Sequence, residues 1–95
     1  MKTHIPAGHP ALPGHFPGQP IVPGAVLLER VLSALNKLVP GARVTGLPSA
    51  KFLAPLRPDE TVEITVTPKA NGSASFEVLR GEVLVVSGSL RYQAG

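Results

Sequence analysis

The feature that most constrains this chain is a stretch in which a stiff loop turns into a helix, residues 15–29. Its loop half contains three prolines and two glycines: Pro17, Gly18, Pro20, Pro23 and Gly24. Each proline holds its own φ at about −65° and favours an extended residue before it. Glycine permits backbone angles and close approaches that other residues resist. The loop is therefore predicted to hold one shape.

A helix is predicted over about residues 24–38, because the run from Ala25 to Val39 has good helix formers and neither glycine nor proline. Pro23 is predicted at the first helical position, where its missing N–H costs nothing, and Pro40-Gly41 as the stop signal. The periodicity of the run predicts one apolar side, formed by Leu27, Leu28, Val31, Leu32, Leu35, Leu38 and Val39. The polar side carries Glu29, Ser33, Asn36 and Lys37.

The predicted start of this helix is a place where chemistry is possible. The N–H groups of Gly24 and Ala25 lie at the positive end of the helix dipole and can hold negative charge on an oxygen. Side chains lean toward the start of their helix, so Glu29 is expected to lie over the first turn, and His15 can face the same volume if the fold allows. On periodicity alone, however, Glu29 belongs to a solvated stripe and His15 is an ordinary loop histidine.

The spacing His15-Phe16-Pro17-Gly18-x-Pro20-x-x-Pro23-Gly24 followed by Glu29 resembles the active-site signature of the 3-hydroxyacyl-[acyl carrier protein] dehydratases. These are hotdog-fold enzymes. The run from Lys51 to Glu60 is similar to the next strand and turn of that family, so the resemblance extends over nearly the whole chain. The short section before His15 is similar to the short dehydratases of aryl-polyene and related lipid or polyketide pathways. Arg30-Val31-Leu32 departs from the housekeeping enzymes and leaves the length of the substrate open.

The resemblance implies that a (3R)-3-hydroxyacyl thioester on acyl carrier protein is dehydrated to the trans-2-enoyl thioester in fatty-acid-like or polyene biosynthesis. His15 is implied as the base that takes the α-proton, and Glu29 of a partner subunit as the group that helps the 3-hydroxyl leave. Gly24 and Ala25 are implied to bind the thioester oxygen. The residues implied to shape the loop are Phe16, Pro17, Gly18, Pro20 and Pro23. The resemblance implies no cofactor.

Two other functions remain open. The first is a hotdog thioesterase, in which a carboxylate near a helix start directs hydrolysis; the His-Phe-Pro-Gly segment argues against it. The second is a non-catalytic hotdog subunit that binds acyl carrier protein or completes a hetero-oligomer. The presence of both His15 and Glu29 disfavours this second alternative.

Charge and composition exclude several other classes. The net charge of +3 is spread along the chain with no basic run between aromatics, which disfavours nucleic-acid binding but suits an acidic carrier protein. Cysteine is absent, which excludes disulfides and cysteine-type metal sites. A zinc site formed by His4, His9 and His15 is disfavoured because no further ligand lies at a suitable spacing. No apolar run approaches a membrane span or a signal core, so a cytoplasmic protein is expected.

The remaining pattern predicts strands. A short strand is expected near residues 2–7, an irregular one over 43–54 with breaks at Gly46 and Pro48, and an alternating one over 61–67. Asn71-Gly72 predicts a two-residue hairpin turn and Arg80-Gly81 a weaker turn. The strand from residue 83 to 92 is apolar on both faces at its start, which suits a central position or a dimer edge.

Together these elements predict one α+β domain over residues 1–95, in which an antiparallel sheet of about five strands wraps one central helix. The resemblance makes this a hotdog fold. A small sheet of this kind has exposed edges that need cover. A homodimer or higher homo-oligomer with a continuous sheet is therefore expected, and a hetero-oligomer remains open.

Overall fold

The computed structural model of the protein describes residues 1–6, 8 and 21–94. In chain order its regular elements are β1 (Lys2–Thr3), α1 (Gly24–Leu38), β2 (Arg43–Phe52), β3 (Val62–Lys69), β4 (Ser73–Arg80) and β5 (Val83–Gln93). The strands form one antiparallel sheet in the order β1-β3-β4-β5-β2. The predicted α+β architecture, one helix with a five-stranded antiparallel sheet, is confirmed.

Helix α1 has the predicted bounds, but Pro23 was predicted one residue too far into it. Pro23 has φ −60° and ψ 145°, which is extended backbone, and it occupies the N-cap position. Its carbonyl oxygen accepts a hydrogen bond from the Val26 N–H at 3.0 Å, so the helix begins at Gly24. The predicted stop is confirmed, since Gly41 has φ 80° and its N–H donates to Asn36 Oδ1 at 2.9 Å.

The core lies between α1 and one face of the sheet. The helix contributes Val26, Leu27, Val31, Ala34 and Leu35, and the sheet contributes Val62, Ile64, Val66, Ala74, Phe76, Val78, Val85, Val86 and Leu90. The apolar side of the helix is narrower than its periodicity predicts, because Leu32 is 42% exposed and Leu38 is 55% exposed. Burial of most of the apolar side therefore holds the helix against the sheet. The rest of that side, at Leu32 and Leu38, stays uncovered.

The β3–β4 hairpin alternates as predicted but turns differently. Lys69 pairs with Ser73, so three residues, Ala70–Gly72, form the loop, and the predicted two-residue turn is wrong. Asn71 and Gly72 do have the positive φ values that this dipeptide favours, 66° and 70°. The loop gains a residue because Ala70 begins a short 3₁₀ turn rather than extending the strand. A turn is present where Arg80-Gly81 predicts one, but Arg80 is still paired, with Val83, so the two loop residues are Gly81 and Glu82.

The edge strands of the sheet, β1 and β2, are shorter or less regular than the strands between them. β5 lies between β4 and β2, which confirms the central position, while β2 is an edge strand. The register of β2 shifts between Val44 and Gly46 and again before Ser49, at the predicted breaks. The strand stops at Phe52 instead of residue 54, since the N–H groups of Leu53 and Ala54 both donate to the Val85 oxygen. β1 has only two residues.

Candidate functional site

The start of α1 faces the segment that follows β2. The Val22 N–H donates to the Leu56 carbonyl oxygen at 2.8 Å, and this bond ties the residues before the helix to those after the strand. Leu56 and Val22 are both buried. The first turn of the helix and residues 52–56 therefore lie on two sides of the same pocket.

Two backbone donors at the helix start have no protein acceptor within the described part of the chain. The N–H groups of Val26 and Leu27 both donate to the Pro23 oxygen, at 3.0 and 3.4 Å. No acceptor is found there for the N–H groups of Gly24 and Ala25, and the N-cap makes no side-chain hydrogen bond. Such donors, at the positive end of the helix dipole, can stabilise negative charge on a ligand oxygen.

The pocket between the helix start and residues 52–56 has a volume of about 440 Å³. Its lining consists of Ile21, Val22, Gly24, Leu27, Phe52, Leu53, Ala54, Pro55 and Leu56. Every side chain in this set is apolar, so the polar groups it offers are backbone groups. The pocket can therefore accept an apolar molecule that carries a single hydrogen-bond acceptor.

The ring of Phe52 lies directly against Gly24. A Cβ atom built on Gly24 would lie 2.6 Å from Phe52 Cε1 and 2.7 Å from Cζ, closer than real carbon contacts allow. A side chain at position 24 would therefore displace the Phe52 ring from its present place. Phe52 is not among the site residues predicted from the sequence, although the run Lys51-Phe52 is part of the resemblance. It is one of three phenylalanines in the chain.

Glu29 lies on another side of the helix from Gly24. Five residues separate them, which is a rotation of about 140° around the helix axis at 3.6 residues per turn. Glu29 is exposed, and it is not among the described residues that line the 440 Å³ pocket. Within one chain, the structure does not bring the Glu29 carboxylate to the pocket beside Gly24.

The other predicted site residues lie outside the described residues. These are His15, Phe16, Pro17, Gly18 and Pro20. Their roles stay predictions, as does the disfavoured zinc site, of which only His4 is described. Among the described residues, no group of three or more His, Cys, Asp or Glu side chains is arranged to hold a metal ion.

Two arginines, Arg57 and Arg80, line a small pocket together with Pro55, which also lines the 440 Å³ pocket. Arg80 Nη1 donates to the Pro55 oxygen at 2.6 Å and lies 3.6 Å from Glu60 Oε1. Glu60 Oε1 also accepts a hydrogen bond from the Arg57 N–H at 2.7 Å. Arg80 is thus held by the protein, whereas no ion pair of the Arg57 guanidinium is found in the described part of the chain. Arg57 is exposed, and the small pocket that it lines shares Pro55 with the 440 Å³ pocket.

An uncovered apolar surface follows the edge strand. Leu32 of α1 and Val44 and Leu47 of β2 are 42%, 38% and 46% exposed. Together with Leu28, Val31, Phe76 and Leu90 they line a second, smaller pocket of about 140 Å³. We call the three exposed residues the edge surface. An edge strand with apolar side chains is a site at which another chain can pair.

The helix in the described part of the chain is neither long enough nor apolar enough to cross a bilayer.

Comparison with sequence families and individual proteins gives consistent matches. The model of the ApeI-like family, described as ApeI dehydratase, matches residues 1–89. The 3-hydroxyacyl-[acyl-carrier-protein] dehydratase FabZ of Mannheimia succiniciproducens is 31% identical over 84 residues, which cover 77% of this chain and 56% of that protein. FabZ of Chlamydia trachomatis is 27% identical, covering 96% of this chain and 69% of that protein. The chain thus spans little more than half of the Mannheimia relative.

Solved structures share the fold. The dehydratase heterocomplex ApeI:P from Xenorhabdus doucetiae superposes with a TM-score of 0.84 at 22% identity, covering 96% of this chain and 82% of that one. A mutant of the fluoroacetyl-CoA-specific thioesterase FlK superposes with a TM-score of 0.74 at 14% identity, covering 99% and 87%. At these identities the structures establish the fold alone, and they confirm the hotdog prediction. With 89 residues matched by the family model, this chain belongs to the ApeI-like family of hotdog dehydratases.

Proposed function

We propose that this protein dehydrates a (3R)-3-hydroxyacyl thioester, carried by an acyl carrier protein, to the trans-2-enoyl thioester. The observation that carries the proposal is the helix start, where Gly24 lines an apolar pocket and its N–H has no acceptor in the described part of the chain. An acyl thioester has the complementary chemistry, since it is apolar along its chain and has one carbonyl acceptor at the reacting end.

The first step is removal of the α-proton. The thioester carbonyl oxygen accepts a hydrogen bond from the Gly24 N–H, and the helix dipole stabilises the negative charge that develops on this oxygen. The α-proton becomes more acidic as a result. His15 takes it as the general base, a role that suits an unperturbed pKa of about 6.5.

The second step is departure of the 3-hydroxyl group. Glu29 donates a proton to this hydroxyl, directly or through water, while the electron pair of the broken α-C–H bond forms the double bond. One water molecule leaves, and the trans-2-enoyl thioester remains. Because Glu29 is exposed and does not line the pocket of its own chain, we infer that the acid at each pocket is the Glu29 of a second subunit.

The second subunit is expected at β2. This edge strand can pair with the same strand of another copy and extend the sheet across both chains, and the edge surface of Leu32, Val44 and Leu47 would be covered in the process. A related hotdog chain could take the same place. The ApeI:P neighbour is a heterocomplex, which makes this a specific second candidate for the assembly.

The carrier is proposed to be an acidic protein. The chain has a net charge of +3, and the exposed Arg57, in the small pocket that shares Pro55 with the 440 Å³ pocket, has no ion pair in the described part of the chain. An acyl carrier protein that docks there would place its acyl arm at the pocket mouth. Charge complementarity of this kind raises the rate of encounter more than the final affinity.

The experiment is an assay of 3-hydroxyacyl carrier-protein substrates in which enoyl thioester formation is followed by absorbance and free thiol is followed in parallel. We expect enoyl product from the wild type and none from His15→Ala. Release of thiol without enoyl product would instead support a thioesterase. A wild type that is inert alone and active only with a second hotdog chain would support the hetero-oligomeric subunit.

A further inference from the structure

We propose that Phe52 holds the acyl thioester against the first turn of α1, and that Gly24 lacks a side chain so that this ring can occupy its place. The inference rests on the proposed function and deepens it. It adds a substrate-contacting residue that the signature from His15 to Glu29 does not contain.

The contact between the two residues is specific. All three nearest atoms to a Cβ built on Gly24 belong to the Phe52 ring, at 2.6, 2.7 and 3.4 Å. Outside the helix's own backbone, the Phe52 ring is thus the first group that a side chain at position 24 would meet. The space beside the Gly24 Cα is occupied by an aromatic ring from the end of β2.

The backbone of Phe52 is held firmly while its ring stays uncovered. Phe52 pairs with Val86 in the sheet, and the next N–H, that of Leu53, donates to the Val85 oxygen at 2.8 Å. The residue is nevertheless 51% exposed and lines the 440 Å³ pocket together with Gly24. A large aromatic side chain on a fixed backbone, half exposed into a pocket, gains favourable burial when a ligand covers it.

A thioester is the group that this ring is suited to hold. Divalent sulfur packs favourably near aromatic rings, with contacts worth about 0.3–1.5 kcal/mol in the case of methionine. A ring packed over the thioester would also exclude water from the hydrogen bond between the carbonyl oxygen and the Gly24 N–H, which strengthens this bond. The Phe52 ring therefore acts on the same hydrogen bond that activates the α-proton.

The test is a cycle of four proteins: wild type, Phe52→Ala, Gly24→Ala and the double variant. Two quantities are measured on each, kcat/KM for dehydration and the Kd of an unreactive analogue, a saturated acyl pantetheine that keeps the thioester but lacks the 3-hydroxyl group. We expect Phe52→Ala to lower kcat/KM by about 10- to 100-fold through misplacement of the substrate. Gly24→Ala alone should lower kcat/KM by at least as much. In the Phe52→Ala background, where the ring is absent, it should lower kcat/KM little further.

Two further variants separate this role from a structural one. Phe52→Tyr keeps the ring and should keep most of the activity. Leu53→Ala truncates a neighbour that is 56% exposed and lines the pocket without being among the atoms nearest to Gly24, so its effect should add to that of Gly24→Ala. Thermal unfolding of every variant identifies losses that come from misfolding.

Each outcome decides for or against the inference. Additive effects of Phe52→Ala and Gly24→Ala on kcat/KM and on Kd would overturn it, as would full activity of a folded Phe52→Ala variant. If the wild type dehydrates nothing but binds the saturated thioester analogue with coupled effects of the two substitutions, the proposed function fails while the role of Phe52 stands. If the analogue binds to the wild type and to the folded variants equally, the role of Phe52 is refuted whatever the activity.

Discussion

Gly24 and Glu29 lie five residues apart on α1 and therefore point about 140° apart around the helix axis. Gly24 borders the apolar pocket, whereas Glu29 is exposed on another side of the helix and is absent from the described lining of that pocket. If both act on one substrate, they must come from different chains. In the proposed mechanism, therefore, assembly completes the site.

Glu29→Gln tests the proposed acid. The amide cannot donate a proton as a carboxylic acid does, so we expect the dehydration rate to fall by at least about 100-fold. The fold should be unaffected because the side chain is exposed. Absorbance assays and thermal unfolding are the two measurements. A variant that unfolds at the wild-type temperature and keeps near-normal rates would remove Glu29 from the mechanism.

Leu47→Glu tests the edge surface. Leu47 is 46% exposed on β2, and a carboxylate there would be buried without a partner if two copies pair through this strand. We expect a monomer by light scattering and loss of activity, since each site then lacks the Glu29 of its partner.

The matched control for this change is Val83→Glu. Val83 is 43% exposed, but it starts β5 beside the β4–β5 turn. It should leave both the assembly and the activity as they are. Equal behaviour of the two variants, whether both dimeric or both monomeric, would contradict pairing through β2.

Arg57→Glu tests the docking of the carrier. Charge reversal should raise KM for a carrier-protein substrate by about 10-fold at low salt and less at high salt, because exposed charges are screened. The N-acetylcysteamine thioester of the same acid should react as with the wild type. Arg91→Glu is the control, an exposed arginine on β5. Equal losses with the two substrates would place Arg57 in the chemistry or the fold instead.

Asn36→Ala tests the end of the helix without touching the site. The Gly41 N–H loses its acceptor, Asn36 Oδ1 at 2.9 Å, and an exposed hydrogen bond of this kind contributes about 0.5–1.5 kcal/mol. We expect a fall in melting temperature of about 4–8 °C per kcal/mol for a chain of this size, with kcat/KM unchanged. An unchanged denaturation curve would show that this bond does not contribute to stability.

Much of the fold could be predicted because local patterns and tertiary packing agree. The bounds of α1 follow from Pro23 and from the Pro40-Gly41 stop, and the burial of Val62, Ile64 and Val66 follows from strict alternation in β3. The predicted loop at Asn71-Gly72 is one residue too short. The dipeptide predicts the positive φ values but not where the strand before it ends.

Less of the site could be predicted, for a physical reason. Periodicity reports which side of a helix is apolar, not what covers it, so the exposure of Leu32 and Leu38 could not be foreseen. The contact between Phe52 and Gly24 joins residues that are distant in sequence, and it depends on where β2 ends. Such a contact leaves no local signal beyond the glycine itself.

The central claim, that each site uses residues of two chains, is tested most directly by complementation between two inactive variants. His15→Ala and Glu29→Gln are co-expressed with different tags, and the mixed assembly is assayed for enoyl thioester formation beside each variant alone. In a mixed dimer purified through both tags, one of the two sites regains both residues, so we expect about half of the wild-type rate. A mixed assembly that forms but is as inactive as its parents would contradict the shared site.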